Sequence, residues 1–213
     1  MSNRKKIVFG VGAVLVLVVV ALVWVFSSDK VPPLVNQPAN SLERARMNYG
    51  EEVREIAEEK ELPCEYFMAL IVLECSGNKP SGERFESHVY KKLKDVKDGS
   101  RRKHENIKQK DIADATDQAL RNLATSWGPF QLMGYKCIGL DVNVKDIRGD
   151  DAVFHGMRWI ELEYGDLLTK GKFKDAFHFH NTGRKYPKVG SPKTHDPKYV
   201  ERGLAYMEYF RAE

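Results

Sequence analysis

A run of twenty residues without a charge, Ile7–Phe26, is the feature that most constrains how this chain can fold. At about 1.5 Å of rise per residue, a helix of that length spans the roughly 30 Å hydrocarbon core of a bilayer. Arg4, Lys5 and Lys6 precede the run, and no acidic residue offsets them. Because positive charge is retained on the cytoplasmic side, the sequence predicts a cytoplasmic segment 1–6, a single transmembrane signal anchor at 7–26 and a periplasmic remainder.

A cleaved signal peptide is the alternative interpretation of this run. The apolar region of a signal peptide is about 7–15 residues long, and a small-residue site of the Ala-x-Ala kind follows it. The present run is longer, and Val25–Ser28 does not resemble such a site. The sequence therefore favours an uncleaved anchor in the cytoplasmic membrane.

The chain after the anchor divides into a linker, 27–40, and a domain, 41–213. The linker contains Pro32, Pro33 and Pro38 and has little periodicity, which is typical of a semi-extended segment. The domain has apolar residues at helical spacing, which predicts a mostly α-helical fold with a short irregular or β segment. The predicted helices run from Ser41 towards Lys60, from Pro63 to Cys75, and over Asp111–Ala124, Asp151–Leu168, Phe173–His180 and Pro197–Phe210, with a strand-like stretch at Phe85–Tyr90.

The positive charge of the chain is unevenly distributed. Arg4, Lys5 and Lys6 supply most of the net charge of +4. Further along, Lys91–Lys110 holds nine Lys or Arg against three Asp or Glu, and Gly171–Lys198 is also basic. Such segments are either solvated loops or surfaces attracted to an anionic polymer outside the membrane, such as cell-wall material. The predicted topology disfavours a nucleic acid as partner.

The three cysteines leave the redox state open. Cys64 and Cys75 lie on one predicted helix, eleven residues and therefore roughly 16 Å apart, which is too far for a disulfide. Any disulfide would use Cys137, while three thiols acting as small buried groups is the favoured interpretation. His178 and His180 are two residues apart and point in different directions on a helix, so the sequence predicts no metal site and no cofactor.

Glu74 is the first candidate for chemistry. It continues the apolar face formed by Phe67, Leu70 and Ile71 in the last turn of the second predicted helix. Partial burial favours the protonated form of a carboxyl group, as a general acid requires. The structural alternative is a glutamate with a buried arginine or backbone partner.

The blocks around and after Glu74 resemble those of a known family. Glu-Cys-Ser-Gly at 74–77 is followed by Ala-Thr-Ser-Trp-Gly-Pro-Phe-Gln-Leu-Met-Gly at 124–134, Ala-Phe-His-Phe-His-Asn-Thr-Gly at 176–183 and Thr-His-Asp-Pro-Lys-Tyr-Val at 194–200. This ordered set resembles the lysozyme-like lytic transglycosylases of the SLT type. The Arg84–His88 and Ser126–Gly134 segments resemble more closely the N-acetylmuramidase domains of phages and bacteria. Cys75 and His180 depart from the family pattern, which has serine and tyrosine there.

The resemblance implies a lysozyme-like fold and cleavage of the β-1,4 bond between N-acetylmuramic acid and N-acetylglucosamine in peptidoglycan. It implies that Glu74 is the general acid and base. A lytic enzyme needs no second carboxylate, because the 6-hydroxyl of the muramyl sugar closes a 1,6-anhydro ring. A hydrolase usually needs one, and Glu86 is then the candidate. The structural alternative for Glu86 is an ion pair with Arg84 or a contact with His88.

The same blocks imply five substrate-binding residues, namely Ser126, Gln131, His180, Asn181 and Tyr199. Trp127, Phe130 and Tyr135 are expected to pack in the core or the cleft wall. Peptidoglycan is the expected partner, and the N-terminal helix is expected to bind the membrane; a cell-wall or secretion complex is left open. The alternative from another functional class is a lysozyme-like scaffold that binds peptidoglycan without cutting it.

Overall fold

The structure of the protein is a computed structural model that describes residues 40–212. The predicted anchor, and the predicted linker up to residue 39, lie outside the described residues. None of the helices within 40–212 combines the length and the apolar character needed to cross a bilayer.

Residues 40–212 contain ten helices and five short strands. The helices are α1 (Ser41–Glu59), α2 (Cys64–Cys75), α3 (Ser87–Lys97), α4 (Gln109–Ile112), α5 (Asp117–Leu123), α6 (Lys136–Leu140), α7 (Val144–Arg148), α8 (Ala152–Thr169), α9 (Phe173–Thr182) and α10 (Tyr199–Arg211). The strands are β1 (Arg84–Phe85), β2 (Lys103–His104), β3 (Ile107–Lys108), β4 (Thr125–Trp127) and β5 (Leu132–Met133). The prediction of a mostly α-helical domain with a short β segment is confirmed.

Helix α2 is the centre of the core. Every residue from Tyr66 to Val72 is at most 4% exposed, so the helix is buried on all sides, as expected for a helix that is apolar all round. Helices α1 and α10 form its most extensive contacts. Helix α9 packs against α10 and α8, and α8 also packs against α1. Helix α2 is therefore held mainly between α1 and α10.

Helix α1 shows how the sequence specifies one of these partners. The Asn40 side chain caps the helix by accepting a hydrogen bond of 2.9 Å from the Leu42 amide, one residue before the predicted cap Ser41. A stripe of residues four apart is buried, while the remaining faces are charged. The buried residues are Ala45, Tyr49, Val53 and Ala57.

Helix α2 ends by direct contact with α1. Ser76 adopts the left-handed conformation, and Gly77 follows with φ of 71°. A Cβ on Gly77 would lie 2.4 Å from the Ala45 backbone nitrogen, so only glycine fits there. This close approach fixes where the last turn of α2, and with it Glu74, lies relative to α1.

Two small sheets lie outside the helical core. One has the antiparallel order β1-β4-β5, with Arg84 opposite Ser126 and Ser126 opposite Met133. The other is the hairpin β2-β3. In the loop after β5, a Cβ on Gly134 would lie 2.1 Å from the Asn122 carbonyl oxygen, so the chain passes α5 at a distance only glycine allows.

The middle of the chain differs most from the prediction. The strand-like stretch Phe85–Tyr90 is wrong beyond its first residue, because α3 begins at Ser87. Val89, Leu93 and Val96 are buried at helical spacing, although the lysines between them obscure that pattern. The predicted helix Asp111–Ala124 is two short helices, since Thr116 caps α5 by accepting from the Ala119 amide. Helices α6 and α7 were not predicted, whereas α8, α9 and α10 lie within two residues of their predicted bounds.

The three cysteines are unpaired thiols. Cys75 is 7% exposed and its thiol contacts the backbone carbonyl of Ile71 at 3.3 Å, beneath α1. Cys137 is buried and Cys64 is partly buried. Burial raises the pKa of the Cys75 and Cys137 thiols to about 11, so both are uncharged apolar groups near neutral pH.

Candidate active site

A cleft of about 740 Å³ opens at the end of α2. Its lining comes from the ends of α2 and α9, the starts of α3 and α10, the β2-β3 hairpin and the β1-β4-β5 sheet. The structure brings all seven residues predicted from the sequence to this one cleft: Glu74, Glu86, Ser126, Gln131, His180, Asn181 and Tyr199.

The cleft continues into a second cavity of about 550 Å³. Both are lined by Glu105, Gln131, Met133, Tyr135, His180 and Asn181. The two cavities therefore adjoin, and together they offer room for a ligand larger than either one holds.

Glu74 lies in the wall of this cleft with its side chain 16% exposed. The Tyr199 hydroxyl donates a short hydrogen bond to Glu74 Oε1, and His180 Nε2 lies 3.9 Å from the same oxygen. Glu74 Oε2 makes no hydrogen bond to any of the described residues. One carboxyl oxygen is thus fixed by the protein, and the other is available to a ligand.

Tyr199 is suited to remain a hydrogen-bond donor. It is the first residue of α10 and is 5% exposed. Burial, together with the neighbouring Glu74 carboxylate, raises the pKa of Tyr199 well above its ordinary value. The hydroxyl therefore stays protonated and donates to Glu74, while the substrate contact expected of Tyr199 stays a prediction.

His180 is held by two hydrogen bonds inside the protein. Its Nε2 lies 3.1 Å from the Phe130 carbonyl oxygen, which can only accept, so Nε2 carries the proton. Its Nδ1 then accepts from the Tyr164 hydroxyl at 2.7 Å. Burial lowers the pKa of His180, although the Glu74 carboxylate opposes this effect. A neutral imidazole with its N–H near Glu74 results, and both ring nitrogens are engaged within the protein.

Tyr164 is a residue that the sequence did not single out. Helix α8 is kinked at this position, where φ is −151° and ψ is 23°. The Tyr66 hydroxyl of α2 donates to the Tyr164 hydroxyl at 3.3 Å, which continues the chain of hydrogen bonds from the core to His180. Gly165, directly after Tyr164, is a local signal for a break in the helix, although the apolar periodicity of α8 continues through it.

Glu86 is engaged with two basic neighbours. Its Oε1 lies 2.7 Å from Arg84 Nε, and its Oε2 lies 3.4 Å from His88 Nδ1. The Glu86 amide also donates to the Ala124 carbonyl at 2.8 Å, which ties the start of α3 to the sheet. Both of the structural contacts expected for this residue are therefore present.

Ser126 and Gln131 form one hydrogen-bonded unit. Ser126 is 3% exposed, and its hydroxyl lies 3.1 Å from Gln131 Oε1. The Gln131 Nε2 group donates to the carbonyls of Gly82 and Gly128. Gln131 has φ of 49°, so this network holds it in a conformation that is uncommon for a residue with a side chain. Both residues shape the cleft wall.

Asn181 is the most accessible amide of the predicted set. It is exposed near the end of α9, and its Oδ1 accepts from the His195 amide at 3.4 Å. Its Nδ2 group makes no hydrogen bond to the described residues. Asn181 therefore offers the cleft a free donor.

His178 fixes the loop that reaches from α9 to α10. Its Nδ1 donates to the Arg184 carbonyl at 2.7 Å, and its Nε2 accepts from the Lys193 amide at 3.0 Å. His178 and His180 thus bind different segments. Within residues 40–212, no group of three His, Cys, Asp or Glu side chains is placed to hold a metal ion.

Glu105 is a carboxylate in the cleft that was also missed. It lies in the turn of the β2-β3 hairpin and accepts from Tyr135 and Lys136, each at 2.7 Å. Burial opposes its ionisation, but these two hydrogen bonds outweigh burial and lower the pKa of Glu105. An ionised Glu105 therefore anchors the hairpin to the cleft floor.

The aromatic residues of the cleft region pack as expected. Trp127, Phe130 and Tyr135 are at most 7% exposed.

Comparison of the chain with protein-family models, curated proteins and solved structures finds no match.

Proposed function

We propose that this protein cleaves the β-1,4 bond between N-acetylmuramic acid and N-acetylglucosamine in peptidoglycan. The observation that carries the proposal is the bonding of Glu74, with Oε1 held by Tyr199 and Oε2 left for a ligand in the cleft and its adjoining cavity. The ordered motifs of the sequence support it, since their residues line that cleft. The proposal includes a lysozyme-like fold and a periplasmic domain anchored in the cytoplasmic membrane.

In this mechanism Glu74 donates a proton from its open oxygen to the glycosidic oxygen. The bond from that oxygen to the muramyl C1 breaks through an oxocarbenium-like state, and the glycan beyond it departs as an alcohol. The ionised Glu74 then accepts the proton of the muramyl 6-hydroxyl as that oxygen bonds to C1. The products are a 1,6-anhydro end and a new free hydroxyl, and no water is consumed.

The other carboxylates of the cleft favour this lytic route over hydrolysis. Glu86 pairs with Arg84, Glu105 with Lys136 and Asp196 with Arg202. A carboxylate held by a cation is a weaker base toward water than a free one. We therefore expect 1,6-anhydro products, while reducing-end products would indicate a muramidase.

The test replaces Glu74 by glutamine in the full chain, purified in detergent. Glu74→Gln keeps the size and a polar head but removes the proton that acid catalysis needs. General acid catalysis contributes about 10²–10⁴-fold, so we expect muropeptide release from sacculi, measured by mass spectrometry, to fall at least that far. Thermal unfolding and sacculus binding are measured on the same preparation and should be retained.

The matched control is Glu83→Gln, which makes the same change at an exposed residue outside the cleft. It should cut at the wild-type rate. A Glu74→Gln protein that still cuts at that rate would refute the role of Glu74. A wild-type protein that binds sacculi but releases no muropeptide would instead support the non-catalytic scaffold.

A further inference from the structure

Among the described lysines and arginines that line the cleft, one has no acidic partner. Arg84 pairs with Glu86 at 2.7 Å, and Arg202 pairs with Asp196. Lys92, on the face of α3 that lines the same cleft, has no carboxylate within 4 Å and no hydrogen bond among the described residues. Its charge is therefore available to an anion that enters the cleft.

His104, in strand β2, is a second cleft residue with an unused polar atom. It also lines the cleft, and its Nε2 atom is buried without any hydrogen-bond partner in the described part of the chain. Burial lowers the pKa of His104; the Glu105 carboxylate opposes this effect, and the charges of Lys92 and other nearby cations add to it. A buried polar atom without a partner costs free energy unless a ligand or water satisfies it.

We propose that Lys92 and His104 form a subsite that binds a carboxylate of the substrate. This inference rests on the proposed function and deepens it. The sugar rings of peptidoglycan are uncharged, and its anionic groups are the carboxylates of the lactyl side chain and of the stem peptide. A cation in the wall of the cleft that contains Glu74 would select strands that carry those carboxylates over neutral glycans, and it would fix the strand in the cleft.

The test measures the affinity of the full chain for three glycan preparations, in a Glu74→Gln background that prevents cleavage. The first is peptide-free strands with free lactyl carboxylates, the second is peptide-bearing strands, and the third is peptide-bearing strands whose carboxylates are converted to amides. We expect Lys92→Gln to weaken binding of a carboxylate-bearing preparation about ten-fold. Binding of the amidated strands should not change.

Two variants serve as controls. Lys92→Arg keeps the charge and should restore most of the affinity. Lys91→Gln removes the same charge from an exposed position of α3 that does not line the cleft, and it should bind like its parent. His104→Phe keeps an aromatic side chain but removes the free nitrogen, so it should weaken carboxylate binding without affecting the amidated strands.

The outcomes separate the source of the carboxylate and the two proposals. A loss with peptide-free strands assigns the lactyl group, and a loss with peptide-bearing strands alone assigns the stem peptide. If Lys92→Gln weakens all three preparations equally, or none of them, the subsite is refuted while the proposed function stands. If the parent and the wild-type protein bind no peptidoglycan strand, the proposed function fails and the subsite fails with it.

Discussion

Glu74 is held by groups that stay in one protonation state near neutral pH. Tyr199 remains a donor because burial and the carboxylate raise its pKa, and His180 remains neutral because burial lowers its pKa. Hydrogen bonds to a charged group are worth about 1.5–3 kcal/mol, enough to fix the carboxyl plane. The proton that moves in the proposed reaction is thereby confined to Glu74.

Tyr199→Phe tests this arrangement at the scale of one bond. The ring stays buried, but Glu74 Oε1 loses its donor, so we expect the cleavage rate to fall about ten-fold, with little change in the substrate concentration at half-maximal rate. Steady-state kinetics on sacculi measures the effect. Tyr206→Phe on the same helix should leave the rate unchanged, and an equally active Tyr199→Phe protein would show that the hydrogen bond is not used.

Glu86→Gln should be much milder than Glu74→Gln. Its ion pair with Arg84 is largely exposed on the arginine side, at 78%, and such pairs are worth about 0.2–1 kcal/mol. We expect a modest loss of turnover and unchanged 1,6-anhydro products, detected by mass spectrometry. A loss as complete as that of Glu74→Gln, with reducing-end products in the wild type, would establish Glu86 as the second carboxylate of a hydrolase.

His180 gives the domain a defined pH dependence. Its folded-state pKa is lowered by burial, so the unfolded chain takes up a proton at a higher pH than the folded chain. The stability from the neutral imidazole is fully present above the unfolded pKa of about 6.5 and is lost as pH falls through it. We expect His180→Gln, whose amide can keep both hydrogen bonds, to lose less melting temperature than wild type between pH 7 and pH 5.

At the scale of elements, the junction between α2 and α1 sets the position of Glu74. Gly77→Ala would place a Cβ against the α1 backbone at a positive φ, and such strain costs at least about 1–3 kcal/mol. The melting temperature should fall by several degrees. Gly171→Ala is the matched control, since it has φ of 65° and open space around it. Equal effects of the two changes would mean that the close approach to α1 is unimportant.

The element that carries Lys92 and follows Glu86 was the hardest to predict. Helix α3 has just three buried apolar residues among lysines, and the segment before it is extended in β1. Val89, Leu93 and Val96 have the spacing of one helix face, but the β-prone start and the many lysines favoured the interpretation of a strand followed by a basic loop. Packing of α3 against α5 and the β2-β3 hairpin decides its structure.

At the scale of the whole molecule, the proposed anchor would keep the domain with the cleft attached to the periplasmic side of the cytoplasmic membrane. The full chain expressed in a bacterium should fractionate with membranes at full length, because Ile7–Phe26 is long and apolar enough to span the bilayer. Immunoblotting of membrane and soluble fractions measures this. A shorter soluble species as the main product would support the signal-peptide alternative.

The sequence by itself determined the elements whose information is local. The stripe of α1, the apolar run of α2 and the bounds of α8, α9 and α10 follow from the spacing of apolar residues. The place of Glu74 in the last turn of a buried helix follows in the same way. The ordered motifs also identified seven residues that the fold brings to one cleft, although their roles stay predictions.

The tertiary structure alone decided which of these residues are bonded to one another. Tyr199 contacts Glu74, and Tyr164, at the kink of α8, contacts His180. The Cys75 side chain, adjacent to Glu74 in sequence, lies beneath α1 and not in the cleft. Lys92 and Glu105, which do line the cleft, belong to the basic middle segment. The physical reason is that helix formation depends on neighbours a few residues apart, whereas a cleft is formed by groups far apart in sequence, whose partners are fixed only when the core packs.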